Sequence, residues 1–199
     1  MFAVGHFALG YLTGKTASKT LNVNINLPLI FLASVLPDAD IMIPFLEHRG
    51  PLHSILVLSA LFLPLFILYK KKAAPYFVAL VQHSLIGDVP TGGAQLLWPI
   101  SQEVYGIGIQ IQSQTNIAIE WIVFIIATIV MLKANDINAL FQPNSTNLIL
   151  AIPLMTVLLP SLLTFPLYVP TTLLIPHLFY LFLFTPSILL ALKALLTKS

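Results

Sequence analysis

Apolar stretches of roughly the length of a bilayer-crossing helix alternate with short polar punctuation along the 199 residues of the chain. A spanning helix needs about 20 apolar residues for a ~30 Å hydrocarbon core. On that measure the pattern predicts six or seven helical elements, at approximately Phe2 to Thr16, Leu27 to Leu46, Leu52 to Tyr69, Ala74 to Ile86, Asn116 to Leu132, Thr146 to Thr164 and Thr171 to Leu195. Pro37, Pro64, Pro153, Pro160, Pro166 and Pro170 would each break or bend a helix in water, whereas a bundle in lipid can satisfy the freed carbonyls. The expected fold is all-α, a multi-pass transmembrane bundle with broken helices. Residues 1–199 read as a single membrane domain, with a polar-motif part at 1–115 and additional helices at 116–199.

Composition strengthens this reading. Hydrophobic residues make up 58% and charged residues 8%, against roughly 25% charged in a soluble domain. Ile137 to Leu192, 56 residues, contains no Asp, Glu, Lys or Arg, more apolar surface than one water-soluble core of this size can hide. A soluble monomer is excluded. Nucleic-acid binding falls too, because 9 basic residues against 7 acidic ones make no electrostatic footprint. With no cysteine, any metal must be held by His and carboxylate. The amino end carries a His inside its apolar stretch and lacks the basic start of a secretory signal, so it is expected to stay in the mature fold.

Basic residues near span ends tend to stay cytoplasmic. If Lys70 to Lys72 do so, counting spans puts Lys15, Lys19, Lys133, Lys193 and Lys198 on the same side. Arg49 is the exception, in the opposite loop. The Gly- and Gln-rich segment 91–115 falls on Arg49's side and reads as a loop or cap.

Polar residues inside membrane segments are costly, so their positions carry information. His6 shares a helix face with Gly10 and Gly14, a small-xxx-small spacing that lets another helix approach closely. Asp38 and Asp40 occur as Leu-Pro-Asp-Ala-Asp, where Pro37 biases Leu36 away from helix. In an extended or turning backbone, residues two apart point the same way, so both carboxylates could face one cation. His48, Arg49 and His53 lie in His-Arg-Gly-Pro-Leu-His-Ser, with Gly50 and Pro51 forming a tight turn and His53 opening the next helix. His83 and Asp88 end the fourth helix. Five-residue spacing leaves them about 140° apart on a regular α-helix, so a break at Gly87 is needed for them to meet.

The orientation argument puts His6, Asp38, Asp40, His48, His53, His83 and Asp88 near one non-cytoplasmic face. These groups suit a one- or two-metal site with open positions. Without thiolates, the donors suit Zn, Mn or Fe. Asp40 is expected to serve as a general base as well as a ligand, and Arg49 as an anion clamp. His177 reads as a core histidine, and Glu103, Glu120 and Asp136 are left outside the site.

The motifs Leu-Pro-Asp-Ala-Asp, His-Arg-Gly-Pro-Leu-His-Ser and His-Ser-Leu-Ile-Gly-Asp-Val-Pro-Thr-Gly-Gly-Ala-Gln-Leu-Leu-Trp-Pro-Ile, in that order, resemble the YdjM-like family of inner-membrane proteins described as metal-dependent hydrolases. The resemblance covers about the first hundred residues. It implies a cell-membrane, multi-pass protein and places the seven His and Asp residues at the family's polar motif positions. Here Leu52 stands where the family usually has Thr, and the third His and Asp are spaced by five residues rather than four. The pattern is also similar to that of zinc-dependent phospholipase C and related nucleases, which implies phosphoesters. The expected function is hydrolysis of an amphiphilic, lipid or lipid-linked substrate at a divalent metal. A metal or proton-coupled transporter is the alternative, and it predicts polar residues through both halves of the membrane.

Overall fold

The computed structural model describes residues 1–163 and 168–197. Pro166, Lys198 and Thr164 at the end of the sixth expected element lie outside the described residues. Regular structure among the described residues is helical, and the only pairing of extended backbone is an isolated bridge between Ala94 and Tyr105.

Helix α1 (Ala3–Leu21) runs through the middle of the bundle. Its glycines explain how closely it packs. A Cβ on Gly10 would lie 2.2 Å from Ser34 Cβ, and one on Gly14 would lie 2.7 Å from Ile30 Cδ1. Small residues here let α1 and α2 (Leu27–Val35) touch backbone to side chain, the main source of helix association where lipid removes the hydrophobic drive. Asn26 caps α2 by accepting from the Leu29 N–H.

The second element is shorter than the pattern predicts. Pro37 has no N–H and its ring crowds the carbonyl of Ala33, so α2 stops and a 3-10 turn, Leu36–Met42, replaces the rest. Leu36 keeps helical dihedrals; the irregular residue is Val35, at φ −126° and ψ 5°. The break thus falls one residue before the position expected from the proline. After the loop, Pro51–His53 forms a second 3-10 turn, and Ser54 rather than His53 opens α3 (Ile55–Tyr69), accepting from the Val57 N–H. Pro64 is accommodated within α3.

Lys70–Lys72 turns the chain into α4 (Ala74–Gln82), which continues as a π-turn, His83–Asp88. Residues 89–113 form the expected cap, and it is stitched down rather than free. Gln95 N–H donates to Arg49 O (2.9 Å), Ile55 N–H to Leu96 O (2.9 Å), and Ser54 Oγ to Trp98 O (2.6 Å).

Beyond the cap come α5 (Gln114–Lys133), the short α6 (Asp136–Leu140), α7 (Ala151–Pro153), α8 (Leu159–Leu162) and α9 (Leu174–Leu196). A 3-10 turn before α7 and a π-turn between α7 and α8 join into one interrupted rod, Ser145–Leu162. His177 Nε2 donates to Leu158 O in that rod at 2.9 Å, the core role expected of it.

Among the described residues, three helices are long and apolar enough to cross a membrane: Gln114–Lys133, Ser145–Leu162 and Thr171–Leu196. The nine-residue α2 and fifteen-residue α3 fall short of that length, and the second half of α1 is polar, with Lys15, Thr16, Ser18 and Lys19. Buried Phe7, Tyr11, Phe31, Tyr180 and Phe184 interlock across α1, α2 and α9, with ring centroids 5.1–6.2 Å apart. Edge-to-face and tilted pairs of this kind add about 0.5–1.5 kcal/mol each. Tyr11 Oη donates to Asp136 Oδ2 (2.7 Å) and Lys15 Nζ pairs with the same oxygen (2.6 Å), tying α1 to α6.

Candidate metal centre

Asp38, His53 and the pair His83 and Asp88 come from three separate turns of the chain, and the fold brings their functional atoms together. His83 Nε2 lies 3.2 Å from Asp38 Oδ1 and 3.3 Å from Asp88 Oδ2. His53 Nε2 lies 3.2 Å from Asp88 Oδ2 and 3.7 Å from Asp38 Oδ1. All four residues are buried.

The π-turn explains why His83 and Asp88 meet. Its hydrogen bonds close from i to i+5, as Val89 N–H to Ser84 O does at 3.0 Å, which widens the turn by one residue. Residues five apart then share a face, and no break at Gly87 is needed. Gly87 has a different task. A Cβ there would sit 2.3 Å from His6 Cε1, so only glycine leaves room for that imidazole. His6 in turn stacks on His83, with centroids 3.7 Å apart and planes inclined by 13°.

Both inner histidines are held from behind. His83 Nδ1 is 2.8 Å from Ser34 O, and because a carbonyl can only accept, Nδ1 carries a proton there and Nε2 is turned toward the carboxylates. His53 Nδ1 lies 3.1 Å from Asp40 Oδ2. Asp38 and Asp40 therefore grip opposite edges of one imidazole. This corrects the expectation that both carboxylates face one cation with Asp40 as ligand and base. On the 3-10 turn they diverge, and Asp40 also accepts from the Arg49 N–H (3.1 Å) and contacts His48 Nδ1 (3.0 Å). Asp40 lies outside the three membrane-length helices. Burial opposes its ionisation, but the contacts from His48 and His53 outweigh it and hold the carboxyl below its usual range.

Arg49 is likewise committed within the protein. Its Nη2 is 3.1 Å from Asp88 Oδ1 and its Nη1 donates to Thr91 O at 2.8 Å, while Nε is buried without a partner. Gly92, at φ +124°, makes way for it, since a Cβ would lie 2.3 Å from Nη1. His48 stands at the mouth with its side chain 35% exposed. The amino group of Met1 donates to Thr91 Oγ1 (2.7 Å) and lies 3.6 Å from Asp88 Oδ1.

These residues fit a divalent cation. His6 Nδ1 is buried without a partner, while His53 Nδ1 and Nε2, His83 Nε2 and Asp88 Oδ2 make no well-aligned hydrogen bond and meet only in His–Asp ion-pair contacts of 3.1–3.7 Å, a buried crowd of nitrogens and carboxylates that a cation would neutralise. The spacing agrees: four ligands at about 2.0–2.1 Å around a tetrahedral zinc stand about 3.3 Å apart. Among the described residues, three triads have ligand atoms within 4.8 Å of one another: His6 with Asp38 and His83, Asp38 with His48 and His53, and His53 with His83 and Asp88.

Glu120, left outside the site by the sequence reading, supports it from a distance through the start of α1. Buried in α5, it accepts from the N–H groups of Phe2 (2.8 Å) and Gly5 (3.1 Å) and from Asn116 Nδ2 (2.8 Å). It thereby caps the first turn of α1 and sets the depth of His6. The signal was present in the sequence as the only acid in the twenty residues of α5, set in a largely apolar stretch.

No curated protein and no solved structure matches the chain. The family model described as YdjM inner membrane protein matches residues 1–172, well past the polar motifs and through two of the three membrane-length helices. With the motif residues gathered at one end of a helical bundle, the conclusion is that the chain belongs to the YdjM family of inner membrane proteins.

Proposed function

We propose that this protein is a multi-pass, membrane-embedded, metal-dependent hydrolase whose substrate is a lipid or lipid-linked phosphoester. The observation that carries the reading is the pair of imidazoles, His53 and His83, each engaged behind by an oxygen at Nδ1 and turning Nε2 toward Asp38 and Asp88. A divalent cation bound there supplies Lewis acidity and acidifies a coordinated water from 15.7 towards ~7. Asp38, Asp88, His53 and His83 are the residues that hold it. Asp40 and the Ser34 carbonyl orient the two rings. Arg49, held by Asp88 and Thr91 O, keeps Nε free to steady an anionic group.

The mouth supports an amphiphilic substrate. Between Asp40 and His48 the chain exposes Met42, Ile43 and Phe45, an apolar edge beside the polar cluster. An ester whose tail stays in lipid can place its headgroup at such a rim.

Transport is less well supported. Below His6, the side chains of Phe7, Tyr11, Phe31, Tyr180 and Phe184 form a buried aromatic block. The charges beyond it, Lys15 and Asp136, are paired with each other.

The test is phosphoester hydrolysis by the full chain purified in detergent, with lipid phosphoesters as substrates, before and after chelation. Activity lost on chelation, restored by divalent metal and absent in His83→Ala supports the reading. Metal uptake into proteoliposomes without hydrolysis would overturn it in favour of transport.

A further inference from the structure

Away from the metal centre, the bundle carries a groove on its outer surface. It runs between Leu12, Ala17 and Leu21 of α1 and Ala74 and Val78 of α4, with a volume of about 490 Å³, inside the ~300–1,000 Å³ range of sites that hold small ligands. The two helices are antiparallel there: a Cβ on Gly10 would lie 3.2 Å from Gln82 Nε2, and one on Gly14 would lie 3.3 Å from Pro75 O. Gly14 is thus level with the first turn of α4, and the rest of α1, to Leu21, extends about 10 Å further, past the end of α4 that the Lys70–Lys72 turn enters.

The lining is made apolar by more than its aliphatic residues. Thr13 Oγ1 donates to Leu9 O at 2.8 Å and Thr16 Oγ1 to Leu12 O at 2.8 Å. Hydroxyls closed back on their own helix have no donor left for a ligand, so the groove suits a hydrocarbon chain rather than a polar headgroup.

The end of the groove is basic. Lys70, Lys71 and Lys72 share one 3-10 turn, all exposed, and exposed Lys19 follows Thr16 by one turn on the α1 side. Lys70 sits at φ +51°, a backbone conformation costly for a side chain of this size, in a turn that concentrates three ammonium groups. Among the described residues, Lys15 is the only lysine in an ion pair, and Asp136, the acid that α1 meets at this end, is spent on it and on Tyr11. Helix α3, which delivers the lysine turn, packs Phe62 and Phe66 on Phe77 of α4 and leaves Leu61, Ile67 and Leu68 64–71% exposed. An apolar helix that ends in lysines meets a membrane at its headgroup layer.

We propose that this groove is a binding site for an anionic phospholipid, with an acyl chain lying between α1 and α4 and the phosphate held by Lys70–Lys72 and Lys19. A lipid supplies both things the site lacks, hydrocarbon for the groove and negative charge for the turn. A second copy of the chain does not: an isologous interface sets the lysines against the same lysines, with no free acid at this end to meet them. The site is separate from the metal centre, which lies around His6 at the other end of α1, and does not depend on it.

The test is native mass spectrometry of the full chain in detergent, equilibrated with phosphatidylglycerol and phosphatidylcholine of identical acyl chains. One phosphatidylglycerol should stay bound where phosphatidylcholine does not. Lysines near an anionic lipid are worth about fivefold each in affinity, so Lys70→Gln, Lys71→Gln and Lys72→Gln combined should weaken phosphatidylglycerol binding on the order of 100-fold. These positions are exposed in a turn, so that variant keeps the fold. Ala17→Phe fills the groove with every charge left in place, and it should lose the lipid as well. Equal retention of the two lipids overturns the proposal, as does unchanged phosphatidylglycerol binding in either variant. A wild-type dimer that Ala17→Phe converts to monomer overturns it too, because the groove then holds a second copy.

Discussion

His83 Nε2 and Asp88 Oδ2 lie 3.3 Å apart although five residues separate them, because the chain between them is a π-turn. On an α-helix the two side chains would diverge by about 140°. The extra residue that looks like a misfit in the sequence is absorbed by the wider turn. It also brings Gly87 under the His6 ring.

Gly87→Ala should therefore disturb the centre without removing any of its His or Asp side chains. The added methyl meets His6 at 2.3 Å. Overpacking of this kind costs typically about 1–3 kcal/mol, and here it must also displace an imidazole. A lower thermal midpoint together with weaker metal binding is expected. Unchanged metal affinity would mean that His6 is not part of the site.

Asp40 and Asp38 should behave differently. Asp40→Asn leaves the ligands in place and loosens the orientation of His53, so metal affinity should fall by about 10–100-fold while stoichiometry is kept at saturating metal. Asp38→Asn removes a ligand and should abolish stoichiometric binding. Chelator competition separates the two outcomes, and equal losses in both variants would contradict the positioning role of Asp40.

Glu120→Ala should destabilise the fold at a distance from the metal. It leaves the Phe2 and Gly5 N–H groups and Asn116 Nδ2 without their acceptor. Each unsatisfied buried donor costs about 1–3 kcal/mol. The expected result is a lower unfolding temperature, with Glu120→Gln intermediate because its amide oxygen can still accept.

Much of this was legible in the sequence, for physical reasons. Charges at bilayer depth are expensive, so Asp38, His53, His83 and Asp88 stood out in the sequence as candidate residues, and the structure brings these four together. Gly10 and Gly14 announced the close approach of α1 and α2. The same cost argument applied to Glu120, but a single acid does not reveal that its partners are backbone N–H groups of a helix over 100 residues away. The carbonyl of Ser34 carries no side-chain signal at all. Turn geometry was the other hidden layer: a Pro-Asp-Ala-Asp segment reads as extended or turned, and only its 3-10 form sends Asp38 and Asp40 to opposite edges of His53.

Metal removal should be visible in stability as well as in chemistry. A ligand at about 100 times its dissociation constant stabilises the native state by about 2.7 kcal/mol. Treatment with chelator should lower the thermal midpoint of the wild type and leave that of Asp38→Ala unchanged. An identical shift in both proteins would point to a chelator effect elsewhere.

The most direct measurement is the metal content of the purified full chain beside that of Asp38→Ala, since Asp38 belongs to two of the three triads. The account predicts stoichiometric divalent metal in the wild type and none in the variant, with both proteins monodisperse. A wild-type protein that holds no metal when loaded, or a variant that holds as much, would contradict it.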